Sequence, residues 1–142
     1  MNSCVIIPAR YKSSRLPGKP LIKLNGKEMI LWVAELSEEA VGKSNVYIAT
    51  DDYRIENLVN NYGYQTIITS NNLLTGTDRV AEAAKKLNYE IIINLQGDEP
   101  LVDPKDIIRA IEFKKKYPQS IINSYSFISN FEDPSNRNIP KV

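Results

Sequence analysis

The chain has 142 residues, 42% of them hydrophobic and 25% charged, and its 18 basic and 17 acidic side chains leave a net charge of +1. That length suits one domain with a buried core, and the charge balance excludes a global attraction to nucleic acid or to membrane surfaces. One cysteine and no histidine exclude an internal disulfide, histidine-based serine or cysteine triads, and histidine-bound zinc.

Any metal would therefore have oxygen ligands, which suit magnesium. Cys4 lies in an apolar run and reads as a small buried hydrophobe. A single thiol fits a reducing cytoplasm. The chain enters its first apolar run directly, so the expectation is no signal peptide and no bilayer-spanning helix.

CVIIPA (residues 4–9) predicts a buried strand. EMILWVAELSEEAV (28–41) has helical spacing, with Ile30, Val33, Ala34 and Val41 on one face and Gly42 as the stop. NVYIAT (45–50) predicts a second strand. DYRIENLVNNYG (52–63) predicts a second helix, with Ile55, Leu58, Val59 and Tyr62 inward and Gly63 closing it. YQTIIT (64–69) predicts a third strand. TGTDRVAEAAKKL (75–87) predicts a third helix, with Val80, Ala83, Ala84 and Leu87 inward and Thr75 and Asp78 in a capping pattern. EIIINL (90–95) is a continuous apolar run, as expected of a strand covered on both faces. DPKDIIRAIEFKKKY (103–117) predicts a fourth helix, with Asp103 as N-cap and Pro104 at the first helical position. SIINSYSFI (120–128) predicts a fifth strand, and residues 129–142 read as polar and irregular.

This alternation predicts an α/β domain with a mainly parallel sheet flanked by helices. Such sheets bind ligands in the loops after their strands. IPARYKSSRLPGKPL (7–21) spans the first of these loops and holds Arg10, Lys12, Arg15 and Lys19 with no acid. Arginine forks, lysine point charges and a glycine that admits close backbone approach suit a polyanion; a solvated basic surface loop is the other reading. No G-x-x-x-x-G-K-[ST] and no G-x-G occurs, which argues against a Walker-type or glycine-rich dinucleotide site.

In NLQGDEP (94–100), Asp98 lies just past a strand and suits a divalent cation held against phosphate, or a simple turn acid. Glu99 reads as an exposed loop acid. In ATDD (49–52), Asp51 and Asp52 could serve metal, ribose or the cap of the second helix, with capping the default. TGTDR (75–79) is either a helix start facing a ligand or an ordinary N-terminus with Arg79 on the helix surface.

Taken in order and spacing, IPARYKSSRLPGKPL, ATDD, TGTDR and NLQGDEP resemble the 3-deoxy-manno-octulosonate (Kdo) cytidylyltransferase family, the CMP-Kdo synthetases of lipopolysaccharide synthesis. The resemblance implies a nucleotide-diphospho-sugar transferase-like fold and transfer of CMP from CTP to Kdo, releasing pyrophosphate, with magnesium and in the cytoplasm. It implies that Arg10, Arg15 and Lys19 hold the triphosphate and that Arg15 and Lys19 stabilise the leaving pyrophosphate. Pro8, Ala9, Thr75, Gly76, Thr77 and Arg79 would lie near the nucleoside, Gln96 near the sugar, and Asp98 would bind magnesium. The family's chains are longer, so residues 1–142 are expected to be the CTP-binding N-terminal portion of an enzyme that is a homodimer at full length. Sialic-type enzymes of similar fold typically carry Gly-Gly-Ser where this chain has YKSS, which favours Kdo over sialic-type acids, with 8-amino-Kdo a further candidate. A non-catalytic nucleotide-binding or assembly module is the alternative of a different class.

Overall fold

Every residue from Cys4 to Ala9 is buried, and the domain is built around this run. The computed structural model describes residues 2–12, 16–125 and 135. In chain order its elements begin with β1 (Ser3–Ala9), β2 (Lys23–Leu24), β3 (Lys27–Glu28) and α1 (Met29–Val41). β4 (Val46–Thr50), α2 (Tyr53–Asn61), β5 (Gln65–Ile68), α3 (Gly76–Ala84), β6 (Ile91–Asn94) and α4 (Pro104–Lys116) follow. The main sheet is parallel, with strand order β5-β4-β1-β6.

Handedness explains the layering. The crossovers from β1 to β4 and from β4 to β5 run in one direction across the sheet, and right-handed connections put α1 and α2 on the same face. The return from β5 to β6 runs the other way and puts α3 on the opposite face. Period-2 alternation in β1 serves both layers: Val5, Ile7 and Ala9 pack with Ile30, Val33, Ile55, Val59, Ile107 and Ile111 of α1, α2 and α4. Cys4 and Ile6 pack with Val80 and Ala83 of α3. β6 is likewise shared, with Ile91 and Ile93 facing one core and Ile92 the other.

The local signals hold at the helix ends. Gly42 ends α1 at φ 81°, and Asp103 caps α4 by accepting from the Lys105 N–H. Thr75 and Asp78 form a reciprocal capping box on α3. Three expectations change. Residues 120–125 of the expected fifth strand form no strand, and the remaining three lie outside the described residues. Tyr62 is half-exposed rather than inward, because α2 ends at Asn61. The small β2–β3 hairpin was not expected, although Asn25-Gly26, both at positive φ, carries its turn signal. Among the described residues, no helix is long and apolar enough to cross a membrane.

Candidate functional site

The C-terminal ends of β1 and β6 diverge. Their pairing stops at Ile6↔Asn94, whereas β1 stays paired with β4 as far as Ala9↔Thr50. The Leu95 N–H donates to the Ile6 carbonyl at 3.2 Å, so the even residues of β1 turn their backbone groups toward β6. The N–H that Pro8 lacks thus falls where β6 has already turned away, and a proline fits this central strand without losing a rung. β1 is also where the strand order switches direction, the place where open α/β sheets form a ligand crevice. Here the crevice is a cavity of about 710 Å³.

Two glycines let its walls meet. A Cβ on Gly97 would lie 2.9 Å from the Pro8 carbonyl oxygen, and one on Gly76 would lie 3.0 Å from Gln96 Oε1 and 3.3 Å from Pro8 Cγ. The end of β1, the turn after β6 and the first residue of α3 therefore converge on Pro8. Gln96 Nε2 donates to Asn94 Oδ1 at 2.8 Å, and Asn94 Nδ2 donates to Thr77 Oγ1 at 3.3 Å. This chain of amides ties the turn after β6 to the first turn of α3.

Charge is arranged in two ion pairs. Arg79 lines the cavity but is buried, with its guanidinium 3.2 Å from Asp51 and donating to the Thr69 hydroxyl. It does not lie on the helix surface, because it precedes Ala83 by one helical turn and shares that buried stripe. At the mouth, Lys19 Nζ meets Asp98 Oδ2 at 2.5 Å, with both side chains well exposed. Arg10 also lines the cavity and is exposed, with no ion pair among the described residues.

The basic loop has a closed stem. The Gly18 N–H donates to the Tyr11 carbonyl at 2.8 Å, and Gly18 takes φ 70°, a left-handed conformation suited to glycine. Lys19 then opens a short 3-10 turn, Lys19–Leu21, that aims it at the cavity. Asp52 caps α2 by accepting from the Arg54 N–H. Neither Asp51 nor Asp52 lines the cavity; they pair with Arg79 and Arg54. The Arg54 guanidinium holds the Asp52 carboxyl below its ordinary range. Burial pushes the Cys4 thiol up to about 12, so it remains a protonated hydrophobe.

Of the residues nominated from sequence, Pro8, Ala9, Arg10, Lys19, Thr75, Gly76, Arg79, Gln96 and Asp98 all line this one cavity. Thr77 stands behind it, bonded to Asn94, and Arg15 lies outside the described residues. Gly97 and the apolar Leu16, Pro20 and Leu73 complete the wall without having been nominated. No local pattern marks the apolar ones, since an apolar loop residue gains its meaning only from what it closes over. The cavity suits a ligand with an anionic end at Arg10 and Lys19 and a flatter part against Pro8, Leu73 and the start of α3. Asp98 is the carboxylate lining it, and no group of three possible metal ligands occurs among the described residues. One exposed carboxylate fits magnesium, which uses one or two carboxylates and completes its shell with waters and substrate phosphates.

Residues 4–140 match the family described as cytidylyltransferase. The chain belongs to that family. It is 47% identical, along its whole length and 56% of the relative's, to the 3-deoxy-manno-octulosonate cytidylyltransferase of Nitrosococcus oceani. It is 46% identical to the 8-amino-3,8-dideoxy-manno-octulosonate cytidylyltransferase of Shewanella sp. (strain ANA-3), over 83% of this chain and 49% of that one. Among solved structures it is similar to CMP:2-keto-3-deoxy-manno-octonic acid synthetase complexed with CTP. The TM-score is 0.80 at 43% identity, covering 84% of this chain and 49% of that one. The chain thus spans about half the length of the relatives it matches, and its parallel sheet is that of the family's nucleotidyltransferase fold.

Proposed function

We propose that residues 1–142 form the CTP-binding portion of a cytidylyltransferase that transfers CMP to a Kdo-type sugar acid, releasing pyrophosphate, in lipopolysaccharide synthesis. The observation that carries this reading is the convergence of Arg10, Lys19 and Asp98 on one cavity at the diverging ends of β1 and β6. The family match and the CTP-complexed relative support it. CTP as substrate suits the cytoplasm, and the complete enzyme would be a homodimer.

In this reading the anomeric hydroxyl of the sugar acid attacks the α-phosphorus of CTP in line with the departing pyrophosphate. Arg10 and Lys19 hold the triphosphate, and Lys19 with Arg15 offsets charge that grows on the leaving group. Pro8, Ala9, Thr75, Gly76 and Arg79 frame the nucleoside, with Thr77 behind them, and Gln96, its amide fixed by Asn94, faces the sugar side. The protein's task is to position two reactants and offset charge, which requires no histidine. Asp98 would hold magnesium, which when bound polarises phosphate oxygens and assists deprotonation of the attacking hydroxyl.

The test is pyrophosphate release from CTP and magnesium with Kdo or 8-amino-Kdo, alongside calorimetric binding of CTP. Release with one acid alone fixes the substrate, as relatives of both names make both acids candidates. Binding without release assigns this portion to CTP capture only. No measurable affinity for CTP would overturn the reading.

A further inference from the structure

The stem of the basic loop stands on a platform outside the cavity. Because Ala9 of β1 is in register with Thr50 of β4, the chain leaving each strand runs beside the other. This brings Tyr11 next to the first turn of α2. The Arg54 guanidinium lies over the Tyr11 ring, its Cζ 3.2 Å from the ring centroid. The same guanidinium is gripped from its edge by Asp52: Nε donates to Oδ1 at 2.9 Å and Nη2 to Oδ2 at 2.6 Å. Asp52 is itself fixed, since its N–H donates to Thr50 Oγ1 at 3.2 Å and its carboxylate accepts the Arg54 N–H at 3.0 Å. Tyr11 in turn meets Gly18, where a Cβ would lie 3.0 Å from its ring, and accepts the Gly18 N–H.

We infer that Arg54 is a positioning residue for the triphosphate site, acting through Tyr11 to set the stem from which Arg10 and Lys19 reach the anion. The inference rests on the triphosphate reading of the cavity. Arg54 does not line that cavity, and its charge is matched by Asp52, so its contribution is geometric rather than a further attraction for phosphate. Arginine suits this task because a planar guanidinium can stack by its face and be gripped by its edge at once, and an ammonium cannot. Arg10 lies one residue before Tyr11 and Lys19 one residue after Gly18. Freedom at the stem therefore passes to both cations.

The test compares CTP with CMP, each with magnesium, by calorimetry on the whole chain, for wild type, Arg54→Ala, Arg54→Lys and Asp52→Asn. Arg54→Ala should weaken CTP about three- to tenfold, the size of one cation–π contact, while CMP affinity stays within error. Arg54→Lys should not rescue it. Asp52→Asn, which leaves Arg54 in place but releases its grip, should lie between wild type and Arg54→Ala, and keeps the question answerable if an arginine variant fails to fold. A general structural role would move CTP and CMP together, and equal losses for the two nucleotides would overturn the inference. So would unchanged CTP affinity in Arg54→Ala. If wild type itself does not prefer CTP to CMP, the triphosphate reading fails first and takes this inference with it.

Discussion

Two ion pairs, each a basic side chain with an aspartate, lie at different depths. Arg79 forms the floor of the cavity and Asp51 holds it from behind, with side chains 3% and 14% exposed. Lys19 and Asp98 form the mouth, at 39% and 48%. A buried charge cannot exchange its partner for water, so the floor pair serves as fixed structure that joins α3 to the ends of β4 and β5. The mouth pair stands in water, where its net worth is small and either member can change partner. Lys19 and Asp98 are the groups expected to meet a triphosphate and a cation. In the free protein each occupies the other, and binding of metal–nucleotide would replace one neutral pair with two new ones.

The largest effect should come from breaking the floor. Arg79→Ala leaves Asp51 without its partner in a nearly closed site and should destabilise the protein by about 3–5 kcal/mol in denaturant unfolding. Arg79→Ala with Asp51→Ala should recover part of that loss, since the stranded charge is gone. If the double variant is no better than the single, desolvated charge is not what the floor controls. Next comes the close approach between β1 and the turn after β6. Gly97→Ala sets a methyl 2.9 Å from the Pro8 carbonyl oxygen and should cost about 1–3 kcal/mol, with nucleotide affinity falling as β1 and the turn after β6 are forced apart. Unchanged stability and affinity would mean that the close approach is not needed.

The mouth should behave in the opposite way. Lys19→Ala should change stability by about 1 kcal/mol or less while lowering CTP affinity about 10- to 100-fold, as expected of a charge-assisted bond to phosphate. Asp98→Asn makes the sharper test: it frees Lys19 and removes a negative charge, so metal-free CTP should bind more tightly than to wild type. Addition of magnesium should then help less than it does in wild type. Weaker metal-free binding in Asp98→Asn would contradict an exchangeable pair.

These depths were only partly legible in the sequence. Strands, helices and caps were readable because Thr75, Asp78, Asp103 and Gly42 act within a few residues of themselves. The convergence of nominated residues was readable too, since a parallel sheet gathers the ends of its strands. Residues 120–125 form no strand although Ile121, Ile122 and Tyr125 favour one, because propensity does not show whether a partner strand lies beside them, and Ser120, Asn123 and Ser124 add no apolar face. Arg79 as a buried residue could have been found from Ala83 four positions on, but its partners Asp51 and Thr69 come from other strand ends and leave no local trace. The Arg54–Tyr11 stack is less visible still, as it follows from the Ala9↔Thr50 register alone.

The smallest effect concerns the Asp52–Arg54 fork, whose carboxylate is as buried as that of the floor and whose guanidinium is as exposed as the lysine of the mouth. Its test is the pH dependence of unfolding. Arg54 holds the folded Asp52 carboxyl below its ordinary value of 3.8, so folding is favoured by the ionised form. The stabilisation is therefore full above the ordinary carboxylate range and is lost as pH falls through the depressed folded value. Asp52→Asn keeps a competent N-cap on α2, since asparagine caps about as well as aspartate, and removes only the charge and its fork. Wild type should melt slightly above Asp52→Asn at neutral pH, and the two curves should converge under strong acid. A gap that persists below the folded pKa would assign the difference to packing rather than to the ionised fork, and would remove the electrostatic part of the grip on Arg54.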